Sequence, residues 1–209
     1  MTLGAISDRI ADELVRPDLR ASHVPLSVKD AIREAANYRF WFNEVRGLSF
    51  NTVADQDFYD QAALPDLAWL SRVDALWIVV NGQRRNLTLV NALAVNDWKD
   101  GDTILTGEPC HYARYGDGFL LWMVPRDVWP VYIDGTTRFS ELTADSDSNA
   151  YLTEGERYIR ALAKANLLEN VVRDFAQADR QWQVAEREKR NLLMETANRI
   201  STNRLAACL

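Results

Sequence analysis

The sequence predicts an α+β fold: a helical bundle formed by the N- and C-terminal helices, with an inserted antiparallel β domain. Three observations lead there. Apolar residues recur at helical spacing near both ends, at Leu3, Ile6, Ile10 and Leu14 and again at Ile159, Leu162, Ala163 and Leu167. Between Leu48 and Leu142 the pattern shifts to short strand-like runs punctuated by Pro109, Pro125 and Pro130. The handover falls in Tyr38–Tyr59, YRFWFNEVRGLSFNTVADQDFY, where an aromatic-rich helix exit breaks at Gly47 and resumes as alternating sequence. The expected organisation is residues 1–46 and 143–200 as the bundle, 47–142 as the β-rich insert and 201–209 as a C-terminal tail.

The first helix carries Asp8, Arg9, Asp12 and Glu13 opposite its apolar stripe and is predicted to end at Pro17. Ser27 with Asp30 resembles a capping box, predicting a second helix from there to about Phe42. In the insert, a turn is expected near Ala54-Asp55-Gln56, and RVDALWIVV (Arg72–Val80) reads as a buried strand. Asn81-Gly82 is a strong hairpin signal, because both positions of a type I′ turn favour residues tolerant of positive φ. Gln83–Leu89 is the expected return strand, followed by a short helix over Asn91–Lys99 that Asp100-Gly101-Asp102 breaks. Strands fit His111–Tyr115, Phe119–Met123 and Val131–Thr137, with Gly116-Asp117-Gly118 as a turn. Glu141–Tyr151 reads as a polar loop, and Thr153 with Glu156 as a second capping box. The stripe that follows continues through Val171 and Phe175. A break near Asp174–Gln177 separates it from a last helix carrying Trp182, Ala185, Leu192, Leu193, Ala197 and Ile200.

Composition narrows the function classes. A hydrophobic share of 47% with seven Trp supports a packed core in 209 residues. A net charge of −6 argues against a protein that grips nucleic acid over much of its surface, while leaving room for a local basic patch. The two cysteines, Cys110 and Cys208, show no framework spacing. MTLGAISDRIADEL lacks an apolar h-region, and no apolar run nears the roughly 20 residues of a membrane span. A soluble protein made in the cytoplasm is expected, which makes the sequon Asn86-Leu87-Thr88 incidental.

No residue set carries recognisable catalytic chemistry, so no catalytic residue, cofactor or metal is predicted. His23 and His111 are the only histidines, and neither belongs to a metal-ligating pattern. Cys110 beside His111 suggests a nucleophile and base. Neighbours in a strand point to opposite faces, however, so the expectation is a buried structural cysteine. Gly116-Asp117-Gly118 leads into apolar FLLWM rather than a helix N-terminus, so it reads as a hairpin turn and not a phosphate loop. Asp145, Asp147, Glu154 and Glu156 lack the glycine and terminal glutamate of a calcium loop and read as a solvated loop before a helix. Tyr38, Phe40, Trp41 and Phe42 could stack bases, yet their helical spacing favours packing at the junction.

The C-terminus differs in character. From Glu186 onward five basic residues face three acidic ones, so an acidic chain ends in a mildly basic helix and tail. Such a tail is either a frayed terminus or a segment that orders on a partner.

Four stretches in order carry a resemblance: MTLGAISDRIADEL; SVKDAIREAANYRFWFNEVRGLSFNTVADQDFY; GEPCHYARYGDGFLLWMVPRDVWPVYIDG; and LTADSDSNAYLTEGERYIRALAKANLLENVVRD. Together they resemble the head-to-tail adaptor, or connector, proteins of short-tailed bacteriophages, in which a phrase like RFWFNE…FxTVxxQxxY recurs. Arg84–Asp102 and the tail ending LAACL depart from the family pattern. The resemblance implies a non-enzymatic virion protein at the head–tail junction. Its copies form a ring, commonly of twelve, beneath the portal, joining it to a tail or nozzle protein around a channel for DNA, without a membrane partner. The acidic charge suits such a channel, since a repulsive lumen lets DNA slide during genome ejection. The tail would bind the portal, with Arg199, Asn203, Arg204 and Leu205 as contacts. The alternatives are another head-completion or tail-nozzle component, or a small-molecule-binding protein or enzyme using the β insert.

Overall fold

The computed structural model describes residues 1–99, 105–139 and 141–205, with residues 200–205 in backbone only. In chain order the elements are α1 (Leu3–Glu13), a 3-10 turn at Pro17–Leu19, α2 (His23–Ala35), β1 (Glu44–Asn51), β2 (Phe58–Tyr59), a 3-10 turn at Pro65–Trp69, β3 (Leu70–Val80), β4 (Gln83–Asn86) and β5 (Thr88–Leu89). Then come α3 (Ala92–Lys99), β6 (Thr106–Gly107), β7 (His111–Tyr115), β8 (Gly118–Trp122), β9 (Val124–Pro125) and β10 (Pro130–Thr137). The chain closes with α4 (Ala150–Thr153), α5 (Glu156–Leu167), a π turn at Leu168–Val172 and α6 (Phe175–Leu205). This is an α+β fold. It divides into a helical unit, Met1–Glu44 with Arg138–Leu209, and a β unit, Val45–Thr137.

In the helical unit the apolar stripes converge on one core: Leu3, Ile6 and Ile10 of α1, Val24 and Val28 of α2, and Ile159 and Leu162 of α5 are buried together. Ala31 and Ala35 of α2 and Ala161 and Ala163 of α5 are buried, and such small residues leave room for close helix packing. Ser27 is not a cap. It lies inside α2, which starts at His23, and its buried hydroxyl donates to the Ala163 carbonyl at 2.9 Å. Polar side chains flank the core: Arg9 pairs with Glu156, and Glu13 with both Arg160 and Lys164, setting α1 alongside α5.

Two more start and stop signals differ from the sequence reading. α1 ends at Glu13, before Pro17, and Val15 adopts a left-handed φ of 55°. Thr153 ends the short helix α4, whose Asn149 side chain accepts from the Leu152 amide, while α5 begins after Gly155. The break before the last helix is real: after the π turn Arg173 is left-handed at φ 61°, and the Asp174 side chain accepts from the Gln177 amide to open α6. α6 continues past residue 200 as helical backbone through Leu205, so residues 201–205 of the expected tail are helical; 206–209 lie outside the described residues.

The β unit contains two four-stranded sheets, ordered β1-β10-β3-β4 and β2-β8-β7-β5, and a β6-β9 pair. Leu76, Ile78, Val131 and Ile133 of the first sheet share a core with Tyr59, Tyr112, Phe119 and Leu121 of the second. β10, β3 and β4 of the first sheet pair antiparallel, the second sheet is mixed because β5 runs parallel to β7, and β6-β9 is a parallel pair. Asn81 and Gly82 take φ of 51° and 75°, as the β3–β4 hairpin requires. The expected single return strand splits. β4 pairs with β3, Leu87 is buried, and Thr88–Leu89 crosses to the other sheet. At Gly135, where the β10–β3 register shifts, a Cβ would meet the Arg72 carbonyl oxygen at 2.1 Å. The Asp100-Gly101-Asp102 helix breaker lies outside the described residues.

Candidate interface on the helical unit

The aromatic stretch Tyr38–Phe42 is a turn, not a continuation of α2. Asn43, 1% exposed, shapes it: its side-chain oxygen accepts from the Phe40 amide at 2.9 Å. Its amide nitrogen donates to the Tyr38 carbonyl at 2.9 Å and to the Tyr151 hydroxyl at 2.8 Å. One side chain thus takes bonds that further helical turns would have supplied. Phe40 is fully buried and stacks on Phe42 at 5.3 Å, and Phe42 meets Tyr151 edge-on at 5.3 Å. Burial pushes the hydroxyl pKa values of Tyr151 and Tyr158 up, keeping both phenols neutral.

Along this turn lies α6. Ala178, Ala185 and Thr196 are its buried positions, a spacing that returns to one helix face. Thr196 accepts from the Trp41 amide at 3.1 Å and donates to the Leu192 carbonyl at 2.8 Å. The Arg199 guanidinium lies 3.5 Å from the Trp41 ring centroid and pairs with Glu195. One turn cluster earlier, the Lys189 ammonium sits 4.7 Å from the Tyr38 ring centroid, and its bond to Glu186 raises its pKa. Neither Asn43 nor Thr196 was singled out in the sequence. For Thr196 the signal was present, since a polar residue shares the helical repeat of two buried alanines.

The predicted site residues therefore separate. Arg199 is half exposed and engaged within the chain, with one face against Trp41. Asn203, Arg204 and Leu205 lie on the backbone of the last turns of α6, and their side chains are outside the described atoms.

Other sequence candidates resolve into structural roles. The Asp147 carboxylate accepts from the amides of Thr143 and Ala144 and from the Thr143 hydroxyl, bonds that hold its pKa below the ordinary value. The carbonyls of Asp145 and Asp147 accept from the Gly4 and Leu3 amides, so these two residues satisfy the N-terminus of α1, while Asn149 caps the helix after the loop. Arg20 bridges Asp8 and Asp145, and Glu156 is committed to Arg9 and Arg160. Glu154, Glu156, Glu188 and Glu195 line an open cleft of about 330 Å³ with Arg157. Among the described residues no group of three or more His, Cys, Asp or Glu is placed to hold a metal ion. No helix among them is long and apolar enough to cross a membrane.

Cys110 and His111 depart from expectation. Cys110 is exposed rather than buried, and its sulfur lies 3.0 Å from His111 Nδ1. Cys110 sits at the entry to β7, its backbone bonded to Trp122 and Thr88 of the neighbouring strands, and the alternation argument did not keep its sulfur away from the imidazole. The thiol faces an open cavity of about 530 Å³ that Arg85, Glu108 and Arg126 also line. The Trp98 ring meets the imidazole edge-on, with centroids 5.3 Å apart. Gly116, at φ 58°, forms the β7–β8 turn and no phosphate cradle.

The residues brought together at the Tyr38–Asn43 turn pack the chain against itself. Over residues 1–206 the chain matches a family of bacteriophage adaptor proteins, structural components of the virion. It belongs to the SU10 adaptor protein family. No curated protein matches the chain.

Proposed function

We propose that this adaptor joins the portal to the tail, forming a ring, commonly of twelve copies, beneath the portal and around a channel through which DNA passes. The observation that carries the reading is the adaptor-family match across residues 1–206. The form of α6 supports it. At 31 residues it is about 46 Å long, against about 18 Å for the 12-residue α5. This length suits an element that reaches a partner in the assembly.

The portal contacts we assign are Arg199, Asn203, Arg204 and Leu205. Arg199 has a double task in this reading, closing on Trp41 with one face and offering its remaining donors to a partner. The net charge of −6 is consistent with a channel that does not retain DNA through phosphate contacts. A pull-down with purified portal rings tests the assignment. Full-length protein is expected to co-sediment with portal. A chain ending at Arg199 keeps the Trp41 clasp but lacks the last contacts, and is expected to bind weakly. Equal binding by the two chains would remove Asn203, Arg204 and Leu205 from the interface.

A further inference from the structure

We propose that a basic, partly apolar stripe on α6 docks onto an acidic, partly apolar patch on the β unit of a second copy of this chain. The proposal rests on the ring reading above and supplies the contact that would build it.

Charge is partitioned within the sequence. Val45–Thr137 carries seven Lys and Arg against twelve Asp and Glu, a net of −5, whereas Phe175–Leu205 carries six against four, a net of +2. On α6, Arg180, Arg187, Arg190 and Met194 are all exposed and fall within an arc of about 80° at 100° per residue. Arg180 and Arg190 form no ion pair among the described residues, and Arg187 meets only the adjacent Glu188. Met194, 62% exposed, extends the stripe with an apolar side chain.

The β unit presents the complement. The Thr52 hydroxyl donates to the Asp127 carbonyl and accepts from the Trp129 amide, and the Asp55 amide donates to the Pro125 carbonyl, at 2.8, 2.7 and 2.8 Å. These bonds bring Val53, Asp55, Asp127 and Val128 to one end of the unit. The two valines are 51% and 60% exposed, and both aspartates are exposed without an ion pair among the described residues. Arg126, the nearest cation in sequence, lines the cavity shared with Glu108.

The stripe fits a protein better than a nucleic acid. Asp179, Glu186 and Glu188 flank it and would repel phosphates, and exposed Met194 gains from an apolar partner that a phosphate backbone lacks. Because stripe and patch are different surfaces, the contact is heterologous, the kind that closes into a ring when the rotation per subunit allows.

The test is sedimentation of full-length protein over a concentration series at low and high salt. Wild type is expected to self-associate, more strongly at low salt. One variant carries Arg180→Glu, Arg187→Glu and Arg190→Glu. The other carries Asp55→Asn, Asp127→Lys and Val128→Lys; asparagine at 55 tolerates the left-handed φ of 63° found there. Each variant alone is expected to weaken self-association by about tenfold or more, with unchanged melting temperature. Mixed, the two should form a 1:1 complex that grows no further, since one stripe and one patch remain. Wild type that stays monomeric, variants that associate like wild type, or a mixture that does not pair would each overturn the proposal. So would loss of duplex DNA binding in the arginine variant with self-association intact. Portal binding measured on the same proteins separates the two readings, because a monomeric chain that still binds portal refutes only this contact.

Discussion

The backbone amide of Trp41 donates to the Thr196 hydroxyl at 3.1 Å, joining residues 155 positions apart. The hydroxyl hydrogen is already given to the Leu192 carbonyl, so the oxygen's lone pair is what receives the amide. That atom ties α6 to the turn in which the aromatics sit, beside the Arg199–Trp41 and Lys189–Tyr38 contacts. Thr196→Val keeps the shape and removes the acceptor, leaving a part-buried N–H unpaired. A loss of about 1–2 kcal/mol is expected, read as a lower denaturant midpoint, whereas Thr196→Ser should stay close to wild type.

Asn43 should be costlier to replace. Asn43→Ala removes three hydrogen bonds at a buried site and frees the turn to continue as helix. We expect about 3 kcal/mol of destabilisation. Tyr151→Phe deletes only the bond from Asn43 and should cost about 1 kcal/mol. Chemical denaturation of both variants separates the Asn43 knot from aromatic packing. Equal effects would show that the backbone bonds of Asn43 contribute little.

These contacts show where the sequence was legible. The stripes of α1, α2 and α5 and the Asn81-Gly82 hairpin were readable because each is local: a period, or a pair of residues tolerant of positive φ. The Tyr38–Phe42 turn was not, because the side chain that bends it also bonds Tyr151, 108 residues away. Ser27 and Thr153 matched a capping pattern that tertiary contacts overrode, one by burial against Ala163 and the other by the Asn149 cap. Of the candidate interface, the charge of Arg199 was visible, but its seat on Trp41 depends on a helix register set by Ala178, Ala185 and Thr196.

Acid should loosen the helical unit. Burial raises the Glu13 pKa, but Lys164, Arg160 and Arg9 outweigh it and hold the carboxyl below its ordinary 4.5. Backbone amides hold Asp147 below 3.8. Both folded values are depressed, so their stabilisation is present above the unfolded values and is lost as pH falls through the folded ones. The melting temperature should therefore drop below about pH 4.5. The double variant Glu13→Gln, Asp147→Asn should show a shallower decline. An identical acid slope would assign the effect to other groups.

In the β unit, Gly135→Ala places a Cβ against the Arg72 carbonyl oxygen within the β10–β3 pair. Forcing the strands apart should cost about 3 kcal/mol, seen as early loss of amide-exchange protection in β3 and β10. Full protection in the variant would mean that the strand shifts without penalty.

The central claim is that this chain assembles as a ring on the portal. Imaging full-length protein mixed with purified portal rings tests it most directly. A ring of density coaxial with the portal is expected, contacting it through the C-terminal end of α6. Portal rings that remain bare, with the protein folded and in excess, would contradict it.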